Sequence, residues 1–361
     1  MKSVPKQPRQ ILVTSPQRLG DVLLTTALVH SLKQAWPEAQ IDVLVLRGTE
    51  GVLAGNPDIR KVLTQVQRLP WWQKLREAAR LWRRYDIGVA AIPTDRSRLY
   101  AWLGASFCVG FLTEKEAGKT AWLDRHVMFD DLDTHTVAMQ AQLAELLAVK
   151  PVLQVVPPQA SAAESRQLAQ LLPQGSYVVL HPCPKFRYKM WQPDGWVALA
   201  EWLHAQGHAI VFSGGGDADE QAYVAAIEAR LAFPCSNLAG QLSLAQSSSM
   251  LKGAALYVGP DTVVTHLAAA CGVPTLALFG PSNPVKWGPW PSGWHESRSP
   301  WARVGSAQHG NVFVLQGISD CVPCMLEGCE RHEGSPSACL DEMPTQRVIE
   351  AAQSLLSRRT A

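Results

Sequence analysis

The chain has 361 residues, of which 47% are hydrophobic and 18% charged, and a formal net charge of +2. That length exceeds one ordinary core, so two domains are expected, and the composition excludes a disordered chain. The nearly balanced charge excludes wholesale nucleic-acid binding but leaves room for a local basic patch, and no stretch approaches the roughly 20 apolar residues of a membrane span.

The N-terminal segment from Met1 to Gln10 is polar and basic and is followed by only three consecutive apolar residues. This falls far short of a signal-peptide core and predicts a cytoplasmic protein. Strands are predicted at Gln10–Ser15, Ile41–Leu46, Ile87–Ile92 and Phe107–Gly110. Helices are predicted near Asp21–Trp36, Trp71–Tyr85, Arg96–Leu103 and Thr134–Val149. Short apolar runs alternating with amphipathic segments indicate βαβ units and a parallel sheet. The stretch from Lys150 to Ala163, with three prolines and no period, reads as a linker. A second series follows, with strands at Tyr177–His181, Ala209–Ser213, Ala255–Val258 and Thr275–Phe279. Its helices are expected near Asp194–Gln206, Asp217–Leu231, Leu244–Leu251 and Val263–Cys271. After Gly280 the chain is loop-rich and ends in a helix near Thr345–Ser357.

Ligands in open α/β sheets collect outside the carboxyl ends of strands. Gly20-Asp21, just past the first strand, therefore draws notice. Gly20 permits a sharp turn or close approach of a ligand, and Asp21 could accept a proton there. A carboxylate that only caps the helix explains the same letters. Arg18 beside it, and Arg96 and Arg98 after the strand that ends near Ile92, are candidates for carboxylates or phosphates of a ligand. Lys74, Arg76, Arg80, Arg83 and Arg84 recur at helical spacing. They read as a solvated basic face or as a face toward anionic lipid or a phosphorylated ligand.

Four loops of the second half are also at carboxyl ends. His181-Pro182-Cys183 leads into a basic loop holding Lys185, Arg187 and Lys189, charge that a diphosphate needs. Ser213-Gly214-Gly215-Gly216-Asp217, with Asp219 and Glu220 beyond, lacks GxGxxG spacing. Its acids suit ribose hydroxyls or a helix cap. Gly259-Pro260-Asp261-Thr262 opens a helix carrying His266, an arrangement fit for a phosphate or for plain capping. The fourth loop is Phe279-Gly280-Pro281-Ser282. Together the four point to a nucleotide site.

These residues resemble those of the family 9 glycosyltransferases, the ADP-heptose:lipopolysaccharide heptosyltransferases. The likeness is carried by Gly20-Asp21-Val22-Leu23-Leu24-Thr25-Thr26, Lys189-Met190-Trp191, Asn237-Leu238-Ala239-Gly240, Asp261-Thr262 with His266, and Phe279-Gly280-Pro281. Ala27 departs from the family, which usually has proline there. The resemblance implies a GT-B fold, two doubly wound Rossmann-like domains facing a central cleft. Residues 1–155 would bind the acceptor and 164–343 the nucleotide-sugar donor, and a helix over 344–361 would pack back on the first domain. It also implies an inverting transfer of heptose from ADP-heptose to the lipopolysaccharide inner core, without a metal or other cofactor, at the inner membrane surface. Asp21 would be the general base and Lys189 would hold the diphosphate. The backbone at Thr262 and Val263 would assist, Asp261 would contact the sugar, and His181, Arg187, Asp217, Glu220, His266 and Gly280 would complete the donor side. Arg18, Gly20, Arg96 and Arg98 would face the acceptor.

Fold and phosphate site do not fix the sugar, so another donor or acceptor, or a nucleotide-sugar binder without turnover, stays open. Asp131-Leu132-Asp133 and Asp217-Ala218-Asp219 match a metal-binding Asp-x-Asp, a pattern too short to carry weight. Cys321, Cys324, Cys329 and Cys339 form C-x2-C-x4-C-x9-C. A structural zinc or a disulfide could use that spacing; neither is expected, and a role in folding is.

Overall fold

The computed structural model describes residues 2–66, 76, 79–116 and 120–357. The expected helix over Trp71–Tyr85 lies largely outside the described residues. Of its basic side chains, Arg76, Arg80, Arg83 and Arg84 are described, and all are exposed. Among the described residues no helix is long and apolar enough to cross a membrane.

The chain divides into two units, one running to Pro158 and including His295–Ser299, the other holding Gln159–Trp294 and Pro300–Ala361. The first unit has strands β1 (Gln10–Ser15), β2 (Gln40–Leu46), β3 (Lys61–Gln65), β4 (Tyr85–Ala90), β5 (Ala105–Leu112) and β6 (Arg125–Met128). Their order is β3-β2-β1-β4-β5-β6, every pairing parallel. Helices α1 (Leu19–Ala35), α2 (Asp95–Gly104) and α3 (Thr136–Leu146) belong to the same unit. Ile11, Leu12 and Val13 of β1 are fully buried, as a parallel strand covered on both faces requires. Sequence reading missed β3 and β6. Both are edge strands, paired on one side only, and their half-exposed sequences carry no continuous apolar run.

The second unit has α4 (Ala162–Leu171), β7 (Tyr177–Leu180), α5 (Pro193–Ala205), β8 (Ala209–Phe212), α6 (Ala218–Glu228), β9 (Ser236–Asn237) and α7 (Leu244–Gly253). It continues with β10 (Leu256–Pro260), α8 (Val263–Ala270), β11 (Thr275–Phe279), α9 (Pro284–Trp287), β12 (Ala307–His309), β13 (Val312–Gln316), α10 (Ala338–Asp341) and α11 (Thr345–Ser357). Its sheet runs β12-β13-β11-β10-β7-β8-β9, with only β12 antiparallel. Thus β12 and β13 lie inside the stretch expected to be loop.

The two units part between Pro158 and Gln159, inside the expected linker, yet the expectation of a free connector needs correcting. Val156 donates its N–H to Thr26 and Val152 donates to Ser31, both side chains of α1, while Leu153, Val155 and Val156 are buried. The segment is therefore laid along α1 for much of its length. It ends where Ser161 and Glu164 exchange hydrogen bonds in a capping box that starts α4, a Ser-x-x-Glu signal present in the sequence. The terminal helix is a second correction. Expected to pack back on the first domain, α11 lies in the second unit, where Val348, Ala351, Ala352 and Leu355 join Trp191, Trp196 and Leu256 in one core. Its apolar stripe finds that cover beside α5, β10, β11 and β13.

Candidate active site

In each unit the chain reverses its direction of parallel strand addition in mid-sheet, and crevices for ligands form at such a place. In the first unit the place is between β1 and β4. The loop after β1 enters α1, where Arg18 is the N-cap and Asp21 lies in the first turn, partly exposed. The helix starts two residues earlier than expected, so Gly20 is helical; its φ is not positive and a Cβ there would meet nothing within 4 Å. Neither a turn nor packing inside the protein requires glycine at this position. Thr25 donates to the Asp21 carbonyl at 2.8 Å and shares a 3.1 Å hydrogen bond with Ser15, which ties the helix start to the strand end.

After β4, Thr94 caps α2 by accepting the Ser97 N–H. Thr14 of β1 bonds the Ser97 hydroxyl at 2.7 Å. Arg96 is exposed at this edge. Arg98 is not: its side chain is fully buried and donates to Asp95 at 2.6 Å and to the Phe111 carbonyl at 3.1 Å. Two residues along a helix turn the side chain to roughly the opposite side, so Arg98 supports the fold and leaves the acceptor set.

In the second unit the reversal falls between β7 and β10. The loop after β7 brings a short turn, Arg187–Lys189, and the loop after β10 brings Asp261. Lys189 Nζ lies 2.5 Å from Asp261 Oδ2, and the Ser282 hydroxyl donates to the same oxygen at 2.7 Å. His266 Nε2 faces Asp261 Oδ1 at 3.9 Å, beyond hydrogen-bond reach. Its Nδ1 is buried and has no hydrogen-bond partner among the described residues. Burial alone would raise the Asp261 carboxyl. Lys189 first, then His266 and the Ser282 hydrogen bond, outweigh it and hold the group below the usual carboxylate range. Burial lowers His266, with Asp261 opposing and Lys189 adding.

Two features fix Lys189. Trp191 is wholly buried and donates its indole N–H to the Met343 carbonyl at 3.1 Å. Gly195 lies so close that a Cβ there would stand 2.3 Å from the Trp191 ring. The tryptophan of the Lys-x-Trp element is thus a peg for the lysine turn. On the other side, the Thr262 hydroxyl caps α8 by accepting the Thr265 N–H at 3.4 Å. The first N–H groups of a helix have no intrahelical acceptor, and those of Val263 and Val264 lie at a partly exposed end close to Asp261. An ammonium and a helix N-terminus side by side suit a diphosphate.

The other expected donor residues divide by what they already hold. His181 is buried, bonds Ser213 at 3.0 Å, and is lowered by burial to about 4. Arg187 reaches Asp341 at 3.3 Å. Asp217 caps α6 by accepting the Asp219 N–H, whereas Glu220 accepts the Gly215 N–H at 2.8 Å. The Glu220 carboxylate lies in the space that a Gly215 Cβ would enter. Gly280 has a structural reason too: a Cβ there would meet Leu340 at 2.7 Å and Cys339 Sγ at 3.0 Å. Sequence reading named the Gly280 turn but passed over Ser282, whose partner lies 21 residues away.

Of the four clustered cysteines, Cys321 and Cys329 are exposed, Cys324 is partly exposed and Cys339 is buried. Burial, reinforced by Cys321, Cys324 and Cys329, pushes the Cys339 thiol up to about 12. Among the described residues no three His, Cys, Asp or Glu side chains gather closely enough to hold a metal ion.

Comparison with known proteins identifies the family. The chain is 28% identical over 292 residues to lipopolysaccharide heptosyltransferase 3 of Escherichia coli, covering 75% of this chain and 83% of that protein. It is 30% identical over 305 residues to lipopolysaccharide heptosyltransferase 1 of Pseudomonas aeruginosa, covering 76% and 79%. The structure of Escherichia coli ADP-heptose LPS heptosyltransferase II matches with a TM-score of 0.72 at 20% identity, covering 98% of this chain and 100% of that one, and the fold is GT-B. The sequence pattern of glycosyltransferase family 9 (heptosyltransferase) matches residues 72–300. A family match over more than half the chain, together with a relative at 30% identity across three quarters of it, means that this protein belongs to glycosyltransferase family 9 and is a glycosyltransferase.

Proposed function

We propose that the enzyme transfers heptose from ADP-heptose to the inner core of lipopolysaccharide, with inversion and without a metal, while associated peripherally with the inner membrane from the cytoplasmic side. The observation that carries the reading is the Lys189–Asp261 pair beside the N-terminus of α8. Direct displacement at an anomeric carbon needs a base for the attacking hydroxyl and charge stabilisation for the departing group. Lys189 and the amides of Val263 and its neighbour meet the charge on departing ADP. Asp261 receives donor-sugar hydroxyls. Asp21 takes the proton of the acceptor hydroxyl, and Arg18 and Arg96 draw the phosphorylated acceptor. The open space over Gly20 supports this acceptor side, since the chain leaves there a position that a ligand can approach. The names of the relatives and the ADP-heptose enzyme of matching fold support the donor and the product class.

The test is transfer from ADP-heptose to defined truncated core acceptors, with Asp21→Asn alongside. Transfer by the unsubstituted enzyme and none by the variant is expected. Full transfer by Asp21→Asn would remove the assigned base, and stronger thermal stabilisation by UDP than by ADP would remove the donor.

A further inference from the structure

We infer that Ser282 is a positioning residue for donor-sugar recognition, holding the Asp261 carboxylate in place when Lys189 is drawn onto the diphosphate. This deepens the ADP-heptose reading and rests on it.

Asp261 Oδ2 has two donors of unlike character. Lys189 carries its ammonium on a flexible four-carbon stem, and its side chain is 21% exposed. Ser282 sits on a short stem in a turn pinned from several sides. Gly280 is packed under Leu340 and Cys339, the Met325 N–H donates to the Pro281 carbonyl at 2.8 Å, and Asn283 caps α9 by accepting the Val285 N–H at 3.1 Å. The backbone at Asp261 is fixed as well, because the Thr265 hydroxyl donates to the Pro260 carbonyl at 2.5 Å. A diphosphate competes with Asp261 for the mobile Lys189 ammonium. A carboxylate whose side chain is only 10% exposed then loses its counter-charge, and such a group must be met by other donors. Ser282 supplies a permanent one, and the sugar hydroxyls supply the rest. The serine therefore matters for the sugar half of the donor more than for the nucleotide half, whose charge is met by Lys189.

The experiment measures ADP and ADP-heptose binding by calorimetry, and donor KM and kcat, for the unsubstituted enzyme, Ser282→Ala and Ser282→Thr, with melting temperatures recorded for each. Ser282→Ala is expected to weaken ADP-heptose about ten-fold, the scale of a lost hydrogen bond to a charged group, while ADP stays within about two-fold. Ser282→Thr keeps the hydroxyl and restores the difference. Equal weakening of both ligands, no change in either, or failure of threonine to rescue would overturn the inference while leaving the heptose reading intact. Failure of the unsubstituted enzyme to bind either ligand would overturn both.

Discussion

The two strand-end edges are built on one plan and finished differently. At the first, Asp21 and Arg96 stand in the opening turns of helices at an accessible edge, and Gly20 leaves its surroundings open. At the second, Lys189, Asp261, Ser282 and His266 form a partly buried knot whose members bond or face one another. On the proposed reading, the difference teaches where preorganisation is spent. Charge on a departing diphosphate is stabilised best by groups already oriented in a site shielded from water. A base needs only to meet a hydroxyl that the acceptor brings, and the acceptor needs room to enter.

Substitutions at the two edges should separate these characters. Asp21→Asn tests the open edge most severely: kcat should fall about 10³-fold with donor affinity unchanged by calorimetry, and a parallel loss of donor binding would erase the contrast. Lys189→Ala tests the knot by taking from Asp261 the ammonium that bonds it. Denaturant unfolding should show a loss of about 3 kcal/mol, part of it recovered in Lys189→Ala/Asp261→Asn; no recovery would mean that the pair is not what holds the knot. Gly195→Ala presses on the Trp191 peg and should cost about 2 kcal/mol of stability by overpacking, with donor KM raised because the lysine turn shifts.

Acid should weaken the knot's side of the molecule in a defined window. His181 titrates near 4 in the folded chain against 6.5 for the ordinary group, and His266 is also lowered. For a depressed pKa the unfolded chain binds more protons in between, so this stability is complete above 6.5 and drains as pH falls toward 4. Unfolding curves across that range should slope accordingly, and His181→Asn should flatten the slope. The smallest effect belongs to the open edge. Gly20→Ala has room for its methyl and should stabilise α1 by about 0.5 kcal/mol, yet slow transfer to the acceptor; unchanged kinetics would show that the open space is not used.

Much of this was legible before any coordinates. Strands buried on both faces announce themselves, and Ile11-Leu12-Val13 and Leu256-Tyr257-Val258 were read in place. So were the strand ends that lead to Asp21, Lys189 and Asp261, since glycine, acid and base after an apolar run mark a strand end. Edge strands such as Lys61–Gln65 were not, because pairing rather than apolar content makes them strands. The cap of α4 at Ser161 was readable and overlooked. Arg96 and Arg98 were grouped although helical geometry sets them on opposite sides, so that error was avoidable from spacing alone.

What sequence by itself determined is the alternation of strands and helices and the list of polar groups at strand ends, because local periodicity and turn chemistry are written in neighbouring residues. What only tertiary structure decided is which of those groups meet. Lys189 and Asp261 are 72 residues apart and Asp261 and Ser282 are 21 apart, and parallel pairing of β7, β10 and β11 brings their ends to one edge. The partners that keep Asp261 charged against its burial, and the burial that keeps His181 neutral, follow from that assembly, since desolvation depends on every element packed around a group and on no single stretch of chain.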